Sequence, residues 1–194
     1  MSKEVVIFDV ETNGMKGSSV LSISAIKLRI DTTLESWEKI GEYNRFYYRN
    51  PGEKVNDGAI NVNGLTDEVI AKKRSNEVYP KYFQEDVNSF QEFCRGVDHF
   101  VAHNIKFDES FIPFKLEKKF DTMMENIDVV RVSWNSKTNS YKWPKLIECA
   151  HHYKVPFDDT NFHESLYDVY ITGRILYRMS RHHKTKERLK KFLI

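Results

Sequence analysis

In the stretch VVIFDVETNG, Val5 to Gly14, four apolar residues lead into two carboxylates, Asp9 and Glu11. One position apart on an extended chain, they point to the same side, because strand side chains alternate with period two. An apolar lead takes a strand into the interior, where a bare carboxylate is costly. Two acids side by side also repel unless a proton, an Arg or a metal ion sits between them. The plainer reading is a strand end whose acids are solvated or salt-bridged.

To hold a divalent metal, this pair needs partners from elsewhere in the chain. VAHNIKFDES supplies Asp108, placed where a helix should begin; an N-cap is the plain alternative. FHESLYDVYITGR supplies Asp168, a charge inside the apolar stripe of a closing helix, where it wants a cation or strong donors. His163 precedes Asp168 by five residues, about 140° away if both were helical. The two share a site only if His163 lies on the loop before the helix.

Together these residues resemble the DEDDh family of 3′→5′ exonucleases, which includes the proofreading subunit of bacterial DNA polymerase III. FDVETNG matches the first motif, AHNIKFD the second and HESLYD the third. INVNGLTDE is similar to the segment between the first two motifs, and NIDVV occupies the place where an Asp-Thr pair often follows the second. The resemblance spans residues 4 to 178 and implies a ribonuclease H-like α/β fold: a mixed central sheet with three antiparallel N-terminal strands and helices on both faces.

The resemblance also implies two divalent ions, Mg²⁺ or Mn²⁺, which suit hard oxygen ligands. Asp9 would bridge both; Glu11 and Asp168 would complete the site that activates water; Asp108 would hold the second ion; His163 would act as the base. Thr12, Asn13, Gly14 and Met15 match the stretch lying against the terminal nucleotide. Asn63 stands where many relatives carry His, also near that nucleotide. His103 and Phe107 match residues close to the scissile phosphate and last base, with core packing the alternative for Phe107. Ser165 replaces a common Ala beneath the metals. The implied partners are single-stranded or frayed 3′ ends of DNA, RNA remaining open, and a DNA polymerase subunit. A non-catalytic nucleic-acid-binding module is the alternative of another class.

The elements that must position these residues follow from pattern. Val5–Val10, Ser18–Ile30 and Glu42–Asn50 read as three strands, with Pro51 and Gly52 stopping the last. Phe83, Val87, Phe90 and Phe93 share a helical face, and His99–Asn104 is a short apolar strand. DESFIPFKLEKKF reads as an amphipathic helix, NIDVVRVSW as another strand, and NSKTNSYK as a polar loop. Pro144 opens a further helix in its first position. SYKWPK, with Trp, Tyr and two Lys, has the composition of a single-strand stacking surface. Its structural alternative is Trp143 as a hydrophobic staple.

The chain's 194 residues suit one domain, expected over 1–180, with 181–194 as a basic C-terminal tail, a frayed helix end that is solvated, the alternative being a dedicated phosphate contact. Lys and Arg exceed Asp and Glu by 30 − 28 = 2, which neither announces nor excludes a nucleic-acid partner, since metal-binding acids mask a basic groove in a net count. Cys94 and Cys149 form no disulfide framework or CxxC site. No signal peptide and no stretch long enough to span a membrane is evident, so a cytoplasmic protein without membrane contact is expected.

Overall fold

The computed structural model describes residues 1–74 and 78–194. Strands β1 (Ser2–Thr12), β2 (Val20–Asp31) and β3 (Trp37–Phe46) form an antiparallel meander. Helices α1 (Asp57–Asn63), α2 (Asp67–Lys73) and α3 (Phe83–Phe93) follow. Strand β4 (His99–Ala102) then pairs parallel to β1, α4 (Ile105–Glu109) crosses over, and β5 (Lys118–Asp121) pairs parallel to β4. The sheet order is β3-β2-β1-β4-β5. The rest of the chain adds α5 (Ile127–Val130), a hairpin of β6 (Trp134–Asn135) and β7 (Ser140–Tyr141), α6 (Leu146–His152), α7 (Ser165–Met179) and α8 (Lys186–Phe192).

The parity of β1 decides which cores form. Val5 and Ile7 pack with Ile171, Ile175 and Leu176 of α7 and with Leu189 of α8 on one face. Val6, Phe8 and Val10 pack with Phe83 and Phe90 of α3 and Ile105 of α4 on the other. Each such side chain, fully buried, contributes about 1.5–3 kcal/mol. Gly173 lets α7 lie close on the sheet: a Cβ there would meet Ile26 Cδ1 at 3.3 Å and Ile7 Cδ1 at 3.4 Å. Both cysteines are buried and unpaired, and burial raises each thiol to about 12. No helix among the described residues is long and apolar enough to cross a membrane.

Several local expectations are corrected. The third strand lies earlier than Glu42–Asn50, because Trp37–Gly41 extend the pairing with β2 and the pairing stops at Phe46. DESFIPFKLEKKF is not one helix. α4 ends at Glu109, since Pro113 inside it would lose a hydrogen bond to the Glu109 carbonyl and clash with it, and Lys118–Asp121 instead extend along β4. Within NIDVVRVSW, residues 127–130 are helical; a short apolar run carries no period long enough to separate helix from strand. Pro144 precedes the N-cap Lys145 rather than opening α6.

The C-terminal residues are not a solvated tail. Leu189 and Leu193 are fully buried, Phe192 meets the Phe120 ring at 5.2 Å, and Arg188 pairs with Asp128 at 2.7 Å. Basic composition hid an apolar i, i+4 pair that docks the helix on the sheet.

Candidate active site

Asp9 and Glu11 continue the parity of Val5 and Ile7, so both face the N-terminus of α7. Their antiparallel partners on β2 are Ser24 and Ser22, small enough to leave room above them. Ser165, the first residue of α7, meets both: its Oγ lies 2.8 Å from Ser22 Oγ and 2.7 Å from Ser24 Oγ, a buried polar cluster satisfied within itself. Sequence reasoning missed Ser22 and Ser24. Their signal was register, a serine opposite each acid.

Asp168 lies in the first turn of α7, not midway along its stripe. His163 lies on the loop just before that helix, the condition its spacing set. It adopts a left-handed φ of 71°, and its N–H donates to Asp168 Oδ2 at 3.3 Å. Ligand atoms of Glu11, His163 and Asp168 lie within 4.8 Å of one another.

Asp108 arrives from the opposite side. β4 pairs with β1 only as far as Ile7↔Val101, and beyond that point the Val10 N–H donates to Asp108 Oδ1 at 3.1 Å. Asp108 sits inside α4 and is buried, so it is not an N-cap. A cleft of about 580 Å³ joins all four acids and His163.

The remaining expected residues divide. Thr12, Gly14, Met15, Asn63, His103 and Phe107 line the cleft, Met15 being 77 % exposed. Asn13 does not. It is buried, donating to Glu53 Oε1 (2.7 Å) and the Lys54 carbonyl (2.9 Å) and accepting from the Asn56 N–H (3.1 Å). Glu53 also accepts from the Ser19 hydroxyl and N–H, so it clamps both ends of the 13–19 loop. Neither partner carried a sequence signal.

Asn63 donates to the Thr12 carbonyl at 3.0 Å and accepts from Leu65 N–H at 3.0 Å, bracing the loop with both ends of its amide. Phe107 does both things its position allowed, lining the cleft and packing on Phe111 at 5.2 Å.

His103 is engaged at both nitrogens. Nε2 faces the Pro144 carbonyl at 3.0 Å and must carry the proton, so Nδ1 accepts from the Thr122 hydroxyl at 3.0 Å. Burial lowers its pKa to about 4, so it stays neutral. The acid–threonine pair behind the second motif is therefore Asp121-Thr122, Asp121 accepting from Asn104 N–H at 3.0 Å. NIDVV does not fill that place: its Asp128 pairs with Arg188 instead.

The four acids crowd one another. Burial raises Asp9 well above the usual carboxylate range, with further upward pressure from Asp108, Glu11 and Asp168 in that order. Glu11 rises to about 8 through burial and Asp168, with Asn63 pulling it back. Asp108 rises to about 8 and Asp168 to about 7, each mainly by burial. Asp9 Oδ2 and Asp168 Oδ1 are buried with no hydrogen-bond partner among the described residues. The two orphaned carboxylate oxygens suit a hard divalent cation, and the group of Glu11, Asp168 and His163 is close enough together to hold one.

The crowding gives stability a pH dependence of known sign. A carboxyl whose folded pKa exceeds its unfolded value binds more protons when folded, so stability falls as pH rises from the unfolded value, roughly 4, towards the folded one. In EDTA the melting temperature should drop between pH 5 and pH 8. Mg²⁺ should raise it more at pH 8 than at pH 5. A flat or rising EDTA profile in thermal melts would contradict the crowded cluster.

The sequence profile of the RNase_T exonuclease family matches residues 6–176. The PolC-type DNA polymerase III of Lacticaseibacillus paracasei is 28% identical over 185 residues, covering 93% of this chain and 11% of that protein. The DNA polymerase III subunit epsilon of Buchnera aphidicola is 26% identical over 187 residues, covering 92% of this chain and 73% of that one. The chain thus spans about a tenth of the PolC-type relatives and most of the epsilon relative.

Among solved structures, exonuclease X with 5′-overhanging duplex DNA superposes with a TM-score of 0.65 at 19% identity, covering 98% of this chain and 99% of that one. E. coli exonuclease I with a dA16 oligonucleotide gives 0.70 at 14% identity, covering 98% and 42%. These likenesses establish the fold as ribonuclease H-like.

Proposed function

The chain belongs to the RNase_T exonuclease family, and on that premise we propose that it is a metal-dependent 3′→5′ exodeoxyribonuclease of proofreading or repair type. One observation carries the reading: four mutually crowded carboxylates and an exposed histidine open into one cleft whose mouth is lined by Thr12, Gly14, Met15 and Phe107. A binding module has no use for a base beside four acids held at a cost in stability.

Asp9, Glu11 and Asp168 would hold one Mg²⁺ or Mn²⁺, with Asp9 and Asp108 holding a second. Bound there, the two ions would stabilise the attacking hydroxide and the leaving 3′ oxygen on one phosphorus. The chain's own groups do the rest. Partial desolvation and the charge of Lys145 lower the His163 pKa, which favours the neutral imidazole that would take the proton of the attacking water. The Thr12–Met15 loop, fixed by Asn13 and Asn63, bears on the terminal nucleotide, and exposed Met15 supplies an apolar contact for its base. Partner candidates are single-stranded or frayed 3′ ends and, by the relatives' names, a DNA polymerase subunit.

With Mg²⁺ or Mn²⁺, 3′-labelled single-stranded DNA should release mononucleotides at once, while a 5′ label shortens stepwise. Blunt duplex should react more slowly, since its terminal pair must melt first at a few kcal/mol. A 3′-phosphorothioate should protect the strand. Faster release from matched RNA would move the reading to an exoribonuclease, and cuts in circular single strands would overturn it.

A further inference from the structure

Residues 131–145 form a strap ending at the cleft wall. Its hairpin pairs Trp134 with Tyr141 and Asn135 with Ser140, and the Lys142 N–H donates to the Ser133 carbonyl at 2.8 Å. After Trp143, the Pro144 carbonyl is held by His103 Nε2 at 3.0 Å. His103 lines the cleft, so Trp143 is one residue from a group anchored in it.

The strap's surface is cationic. From Arg131 to Lys145 there are four cations and no acid, in a protein with a net charge of only +2. Lys137 and Lys145 have no acidic partner among the described residues, and Lys142 meets only Glu148, at 3.3 Å. Two tryptophans accompany them in water, Trp134 at 55% exposure and Trp143 at 58%. Trp134 has a structural use, stacking edge-on with Tyr141 at 5.0 Å to steady a hairpin of two-residue strands. Trp143 has no aromatic partner among the described residues, and its exposure rules out the staple that sequence offered as its structural role.

Exposed indoles among cations, two of them without an acidic partner among the described residues, match what a single-stranded polyanion with stackable bases requires. An acidic peptide would use the cations and leave the indoles wet. We propose that the strap, through Trp143, Trp134, Arg131, Lys137, Lys142 and Lys145, holds the single strand that trails from the nucleotide in the cleft. This rests on the nuclease reading above and adds to it a second binding surface, outside the acidic cleft.

The test compares a long single-stranded oligodeoxynucleotide with the p-nitrophenyl ester of thymidine 5′-monophosphate, which is too short to reach the strap. Trp143→Ala should raise KM for the long strand about 5- to 150-fold, the range for loss of one base–aromatic stack. Ester hydrolysis should persist, and Trp143→Phe should restore most of the long-strand KM. In EDTA, oligonucleotide binding should quench tryptophan emission and weaken in Trp143→Ala. Unchanged long-strand KM and binding in Trp134→Ala/Trp143→Ala would overturn the proposal, as would equal competition by polyglutamate. If the wild type cleaves neither substrate, the nuclease reading fails, and the binding measurement still decides the strap.

Discussion

Asp9→Ala should reduce nucleotide release to background while leaving the fold intact. Asp9 is the acid on which all three others act, Asp108, Glu11 and Asp168 each pushing its pKa upward, so it lies at the centre of the charge cluster. Its Oδ2 has no hydrogen-bond partner among the described residues, so removing the side chain breaks little. It also relieves repulsion in the metal-free protein. The melting temperature in EDTA at pH 8 should therefore rise, by about 2–4 °C for each kcal/mol relieved in a domain of this size, and the Mg²⁺-induced increase should shrink. Asp108→Ala is the poorer test, because it also strands the buried Val10 N–H, at about 1–3 kcal/mol. Wild-type turnover by purified Asp9→Ala would end the two-metal assignment.

His163→Ala should lower kcat by about 10²–10⁴-fold, the usual share of a general base, with binding of metal and of the 3′ end retained. The side chain is exposed in the cleft, and its backbone N–H, not its ring, holds Asp168. Replacing the ring should thus spare the carboxylate's position, provided the left-handed backbone survives. Asn tolerates that conformation better than Ala, so His163→Asn controls for the backbone: equal losses in both variants assign the effect to the imidazole. A loss of base should also flatten the acid limb of the pH–rate profile. If Mn²⁺ affinity collapsed while the rate at saturating Mn²⁺ stayed normal, His163 would be a ligand and the assigned role wrong.

The two acids of β1 were legible because strand parity is a local rule. Val5, Ile7, Asp9 and Glu11 share a face whatever that face meets, and the apolar members require it to turn inward. His163 was legible only as a condition, a loop position, which a five-residue spacing stated without deciding. Asp108 was read with an N-cap as its alternative because helix starts favour Asp. Its real tie crosses 98 positions to the Val10 N–H, a group unpaired by β4 only because β4 is short. The docking of the C-terminal helix was not legible because composition registers charge, whereas docking depends on where Leu189 and Leu193 fall around a helical turn.

The period of single segments therefore dictates the β1 face, the three-strand meander and the α3 face, and the chain itself orders the acidic motifs. Tertiary structure alone decided the rest. It made Asn13 an internal brace, tied His103 of the cleft lining to Thr122 and Pro144, set Ser165 on Ser22 and Ser24, and anchored the strap through Pro144. It also raised four carboxyls together. Desolvation and charge repulsion act between atoms brought within a few ångströms, and those distances exist only once segments remote in sequence have packed.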